Sequence, residues 1–473
     1  MSRAFVLGGG FAGLSAAIHL AAKGRDVTLV EQQDDLGGKA GEVTVDGYRF
    51  DTGPSVFTLP EVLAELFAVA GREVPVGLEP LTPLCRYVYP SGRVWDVYND
   101  VDKTTAPLSD TDARAYRALL AEAKKLYEAA APTFLFGPAP GLLDLARYGL
   151  RYGLQAHPTR TLPQLIDRFS ASEELKRFFL RFATYFGADP YRAPAVLHNI
   201  AWVELGKGVY YPKGGIKAVV NALHSLACEL GVEVRTGVRV TGFDQQGRRV
   251  RTVKTDQDDI DVAADDVVVS SLDVVRTHTL LGRRTKLEGL EPSLSGFVLL
   301  LGLEGTTDSL AHHNIFFPDD YPAEFADVRA GRLPHDPTLY LSISSRSNPS
   351  DAPPGHENWF VLANAPAFRP SEQLSPDQEA AYAEHLIDRL EARGLNVRPR
   401  LRVQRVLPPR HLATLAHRGS IYGVAPHSLT QTIRPSQTVR GLNNLVLAGG
   451  SVHPGGGIPL ALLSGRHAAD LVT

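Results

Sequence analysis

The chain has 473 residues, 44% hydrophobic and 21% charged, with a formal net charge of -3. That balance argues against a basic nucleic-acid-binding surface, and the length allows a large core shared between two domains. Cys85 and Cys228, few and far apart, exclude a disulfide framework and a cysteine metal site, and no metal is expected.

In chain order, Phe5, Val6 and Leu7 predict a short buried strand, and Gly8, Gly10 and Gly13 follow as G-x-G-x-x-G. Leu14 to Ala22 is alanine-rich and suits a helix packed closely on a sheet, and Val27 to Val30 predicts a second strand ending at Glu31. Gly8 permits a tight turn, Gly10 lets backbone N–H groups reach a pyrophosphate, and Gly13 allows close helix–strand contact. The helix N-terminus turns free donors and positive partial charge toward the phosphates. Glu31, 18 residues past Gly13, can accept hydrogen bonds from ribose hydroxyls, and an acid there argues against the 2′-phosphate of NADP. Gly8, Gly10, Phe11, Ala12, Gly13, Glu31 and Gln32 are the candidate dinucleotide site, which by itself leaves FAD and NAD open.

The next stretch, "LGGKAGEVTVDGYRFDTGPSVF" (36–57), adds backbone donors at Gly37-Gly38 and a cation at Lys39. Val43, Val45, Tyr48 and Phe50 frame a hairpin around Asp46-Gly47, and Asp51 to Ser55 forms a rigid turn. Here the chain resembles the phytoene desaturase family of the flavin amine-oxidase-like superfamily. Its dinucleotide motif, acid, G-G-[R/K] segment and D-x-G turn occur in the same order. The resemblance implies FAD, with Gly38 and Lys39 near the diphosphate and Gly53, Pro54 and Ser55 near the flavin.

Further along, Asp112 to Ala131 is helical in composition. Pro132, Pro138 and Pro140 are expected to break that helix before "GLLDLARYGLRYGL" (141–154) restarts it. Apolar groups alternate with Arg147, Arg151 and Arg160 across residues 130 to 160, predicting either a membrane-dipping surface or an ordinary core-facing helix pair. Asp144 and Arg147, at i and i+3, form an exposed ion pair in the plainer reading. The resemblance makes them a D-x-x-R pair supplying acid/base groups in a substrate channel, and they are the candidate catalytic residues. Glu173 to Tyr185 predicts a Phe-rich helix, and "GADPYRAPAVLHNIAWVE" (187–204) resembles a family segment that caps the substrate region.

From residue 209 the texture changes again. "YPKGGIKAVVNAL" (211–223) matches the family's [YF]-P-x-G-G segment, which places Val240 beside the adenine. Val232, Val234, Val238 and Val240 keep a period of two, residues 266–273 read as a buried parallel strand, and further strands are expected near 296–303, 338–343 and 359–363. Residues 443–472 close the chain as strand, glycine turn and helix, and "GGSVHPGGGIP" matches the family's G-x-[GT]-x-H-P-G-x-G-I-P closely. Gly449, Gly450, Gly457 and Ile458 join the candidate cofactor set. The helix start would face the flavin's pyrimidine edge, where positive partial charge favours the reduced form. His453 could be a base, a covalent flavin attachment or a hydrogen-bonded turn residue, and the last is favoured.

The expected fold is α/β: a Rossmann-like FAD-binding domain (1–70, 206–275 and 411–473) with an inserted α/β substrate-binding domain (71–205 and 276–410). The resemblance implies an FAD-dependent carotenoid desaturase, with segments 449–465 and 189–204 pointing to the hydroxycarotenoid 3,4-desaturases. Phytoene desaturase, a carotenoid isomerase or saturase, an amine oxidase, and a lipid carrier that lost its flavin are the alternatives. A polyene must come from a bilayer, yet no apolar run is long enough to span one and no signal peptide is visible. A cytoplasmic protein held at the inner face of the cell membrane is therefore expected, with oxygen or a quinone as electron acceptor and no nucleic-acid partner.

Overall fold

The structure, a computed structural model, describes residues 2–369 and 374–472. Short runs of Val, Leu, Phe and Ala that are buried on both faces need helices above and below them. They form an all-parallel sheet in the order Leu445–Leu447, Val267–Ser270, Arg3–Leu7, Asp26–Val30, Glu233–Arg235. Three stretches distant in sequence thus build one sheet. Helices Phe11–Ala22, Gly215–Glu229 and Ile458–Leu471 pack into a shared core with it. The alanine-rich face of the first helix lets the last approach closely: a Cβ on Gly465 would lie 2.3 Å from the Ala12 carbonyl oxygen.

A second sheet has seven strands, in the order Leu401–Leu407, Ser295–Glu304, His356–Ala365, Leu339–Ser342, His313–Phe316, Cys85–Val88, Val94–Val97. Alternation gives it two different faces. Phe297, Leu299, Leu301, Trp359, Val361 and Ala363 form one buried core with helix Pro376–Ala392. Gly296, Val298, Phe360, Leu362 and Tyr340 point the other way, into a cavity between the two sheets. The expected strands near 296–303, 338–343 and 359–363 are three neighbours in this sheet, with bounds differing by up to three residues.

Three local expectations need correction. Helix Asp110–Phe134 runs through Pro132 and ends two residues later. Proline removes only its own N–H bond to the preceding turn, and Leu135 and Phe136 after it still close theirs on Ala131 O, so the break falls just past the proline. The helix expected over 173–185 is α-helical only to Leu180 and continues as a 3-10 segment, Arg181–Phe186. The period-two run 232–240 feeds two sheets: Glu233–Arg235 joins the parallel sheet, the chain turns at Gly237 (φ +70), and Val240 opens an antiparallel strand paired with Arg249–Thr255. Among the described residues no helix is long and apolar enough to cross a membrane.

Candidate functional site

The loops that leave the C-terminal edge of the parallel sheet converge on one cavity, where open α/β sheets bind ligands. Its residues include Gly8 after the first strand, Glu31 after the second, Ser271 after Val267–Ser270, and Gly449 after Leu445–Leu447. The cavity holds about 2550 Å³ including its solvent-open mouth. Beyond the glycine turns it continues along the apolar face of Val298, Phe360 and Leu362, where a second molecule can meet a dinucleotide.

The glycine turn is built as its spacing demands. Gly8 adopts φ +101, and a Cβ there would sit 2.6 Å from Ser271 Oγ. A Cβ on Gly13 would lie 1.9 Å from the Gly8 carbonyl oxygen, so Gly13 serves helix–strand packing and does not border the cavity. Gly10 borders the cavity, and a Cβ on it would meet only the Gly37 carbonyl, at 3.9 Å. It is therefore bare for a ligand, not for packing. No side chain caps the N-terminus of helix Phe11–Ala22 or of Ile458–Leu471, and their opening residues Phe11, Ala12 and Ile458 line the cavity. Two sets of free N–H donors are thus available to anionic groups of a ligand. Glu31 accepts from Gly9 N at 2.7 Å and Gln33 N at 2.9 Å, leaving carboxylate lone pairs for a ribose. These features fit a dinucleotide.

Gln32, Gly38, Lys39, Gly53, Pro54, Ser55, Val240, Gly449, Gly450 and Gly457 also line the cavity. Gly53 is obligatory, because a Cβ would fall 1.8 Å from the Lys39 carbonyl oxygen. Asp51 holds the turn from behind. Burial raises its carboxyl to about 6 against the pull of Arg49, and it accepts from Arg49 at 2.7 Å and weakly from Ile216 N at 3.4 Å. Lys39 Nζ donates to the Ile421 carbonyl at 2.7 Å, and burial lowers its pKa. Ser55 Oγ lies 2.7 Å from the Tyr340 hydroxyl, which lies 2.8 Å from His313 Nδ1, so the turn is tied to the second sheet.

Asp144 and Arg147 stand elsewhere. Neither borders the cavity; Asp144 accepts from Gly141 N at 3.0 Å, capping its own helix, and Arg147, 80% exposed, is 4.0 Å from it. The geometry is that of the exposed ion pair, and the catalytic expectation finds no substrate-facing group here. His453 is a buried turn residue: its N–H donates to Pro435 O, its ring contacts Gly137 O at 3.0 Å, and Gln437 and Ser464 bond its carbonyl. The aromatic segment 178–186 divides: Phe178, Phe179 and Phe182 are core, while Arg181, Thr184 and Tyr185 reach the cavity. Sequence reasoning missed Val238, Ser271, Leu272, Asp273, Tyr422 and Gly423. The strand-ending S-S-L-D at 270–273 was a usable signal. Tyr422 had none, although its ring covers the C-terminal turn so closely that a Cβ on Gly456 would lie 2.0 Å from it.

A parallel sheet with a glycine-lined dinucleotide half, opening onto an apolar half under a second sheet, is the arrangement of a Rossmann-type dinucleotide-dependent oxidoreductase. The family model for flavin containing amine oxidoreductases matches residues 11–473, and the chain belongs to that family. Within it the chain groups with the carotenoid desaturase-like proteins. It is 33% identical to a 4,4'-diapolycopene oxygenase of Methylomonas sp, over 99% of this chain and 98% of the relative. It is 32% identical to a 1-hydroxycarotenoid 3,4-desaturase of Flavobacterium sp. (strain P99-3), over 100% and 99%. Among solved structures, an oxidoreductase from Methanosarcina mazei shares the fold, with a TM-score of 0.67 at 16% identity, covering 98% of this chain and 99% of that one.

Proposed function

We propose that the chain is an FAD-dependent carotenoid desaturase, acting on a hydroxycarotenoid at the 3,4 position. The observation that carries the reading is the continuity of the cavity from Gly8 and Glu31 to the apolar face of Val298, Phe360 and Leu362. The names of the relatives support a carotenoid as the second molecule. When bound, FAD supplies the two-electron hydride acceptor that a substrate lacking a heteroatom at its reacting carbons requires. The chain's own part is to clamp the dinucleotide, align the polyene along the sheet and exclude water with that apolar face.

Delivery follows from one helix. Leu142–Tyr152 has no buried residue, and Leu142, Leu143, Leu150 and Leu154 are 74–92% exposed. Tyr148 packs on Phe134 at 4.7 Å, and Arg147 and Arg151 flank the leucines. Exposed leucines bordered by cations suit the headgroup boundary of an anionic leaflet. We read this helix as the entry point at the inner face of the cell membrane, with oxygen or a quinone re-oxidising the flavin.

The test is product analysis. Flavin-loaded protein is mixed with vesicles carrying phytoene, lycopene or a 1-hydroxylated carotenoid. A hydroxycarotenoid product lighter by two hydrogens supports the reading. A product heavier by oxygen moves the chain to the chemistry named for the Methylomonas relative. An isomer of unchanged mass moves it to isomerisation.

A further inference from the structure

The cavity-facing side of the second sheet can be read as rows across three strands. Val298 pairs with Leu362, and Leu362 with Tyr340. This row sits beside the Asp51–Ser55 turn, because Tyr340 bonds Ser55. The next row starts at Gly296, which pairs with Asn364. Continuing the Leu339–Ala363 and Tyr340–Leu362 register puts Thr338 opposite Asn364. All three residues of this row line the cavity, and two are polar where the neighbouring row is mainly apolar. Two residues of extended strand separate the rows by roughly 7 Å.

The polar row is built rather than incidental. Glu324, on helix Tyr321–Arg329, is 1% exposed. Its carboxylate accepts from Thr338 Oγ1 at 2.6 Å and from Asn364 Nδ2 at 2.8 Å. A buried acid is costly unless both oxygens are used, and here they are. The arrangement orients the two side chains. Thr338 spends its single hydroxyl proton on Glu324, and the Asn364 amide nitrogen is turned the same way. Asn364 Oδ1 then accepts no hydrogen bond among the described residues, and the Thr338 oxygen keeps free lone pairs. A Cβ on Gly296 would meet Leu362 at 3.3 Å, and its absence leaves open volume beside Asn364.

We propose that Asn364 and Thr338, positioned by Glu324, are a specificity subsite that accepts a hydrogen bond from the terminal hydroxyl of the polyene. This rests on the function proposed above and names the residues that select the oxygenated end. A hydrocarbon end at the row leaves the acceptors unpaired, and a carbonyl end can pair only with the second Asn364 amide hydrogen, leaving Asn364 Oδ1 and the Thr338 oxygen without a donor. A hydroxyl there lies only a row from the Ser55–Tyr340 contact, so the bonds nearest the oxygen are the ones brought to the dinucleotide half.

The test reads binding without turnover. Flavin-loaded protein at pH 8 is titrated with a fully conjugated polyene, its terminal alcohol and its terminal aldehyde in mixed micelles, following flavin fluorescence. The alcohol is expected to bind at least about tenfold more tightly than the other two. Asn364→Leu is expected to bring the alcohol down to the hydrocarbon's affinity, and Thr338→Val to reduce the preference in part. Equal affinities in the unaltered protein, or a preference for the aldehyde, would overturn the subsite without needing any variant to fold. If hydroxycarotenoids fail to yield the desaturated product while the alcohol preference holds, the desaturase reading fails and the subsite stands.

Discussion

Single residues decide whether the cofactor half forms at all. Gly13→Ala puts a methyl group against the Gly8 carbonyl, which has no freedom to yield. The variant is expected to lose bound flavin and at least about 1–3 kcal/mol of stability, read as flavin absorbance per protein and as the denaturant midpoint. Glu324 gives a pH signature. Burial raises its carboxyl from 4.5 to about 7 against the hydrogen bonds of Thr338 and Asn364. The folded protein therefore holds that proton more tightly than the unfolded chain. Its stability contribution is complete below about pH 4.5 and declines as pH rises to about 7, by about 3 kcal/mol in total. Glu324→Gln should remove this decline, so between pH 5 and 8 the parent protein loses more stability than the variant. Parallel pH profiles would show that Glu324 does not titrate in that window. Gly8, Gly10 and Glu31 were legible because their spacing is local. Tyr340, Asn364 and Thr338 were not, because only cross-strand register makes them neighbours.

At the scale of elements, helix Leu142–Tyr152 carries the membrane argument. Leu150→Glu with Leu154→Glu removes exposed apolar surface and costs no core packing. Binding to anionic vesicles should fall at least tenfold in a flotation assay, while the thermal midpoint stays within about 1–2 °C. Retained vesicle binding would exclude this helix as the membrane contact. The continuous apolar run of 295–304 could be read from the sequence almost to its ends, whereas only the central residues 359–363 of strand 356–365 could be. Pro132 misled by a few residues, because a proline removes only its own N–H bond and the residues after it can still bond to the turn before. The valine run at 232–240 misled for another reason: period two marks extended chain but does not say which sheet receives it.

For the whole molecule, the three-part assembly of the parallel sheet is the main consequence. Residues 3–30, 233–270 and 445–447 meet in one sheet, and their loops meet around the same cavity. FAD should therefore stabilise the protein by mass action, about 2.7 kcal/mol at a hundredfold excess over Kd, seen as a thermal midpoint that climbs with added FAD. The first and last of these segments were legible because each carries its own glycine turn, at Gly8 and at Gly449, whereas the strand ending at Ser270 leaves through Ser271-Leu272-Asp273. The path of the cavity under the second sheet was not, since it depends on how two sheets face each other. The most direct test of the account is anaerobic. Flavin-loaded protein is mixed with vesicles carrying a 1-hydroxylated carotenoid, and the visible flavin absorbance is followed. Bleaching in proportion to the polyene consumed is the predicted result. Unbleached flavin with the carotenoid intact would contradict it.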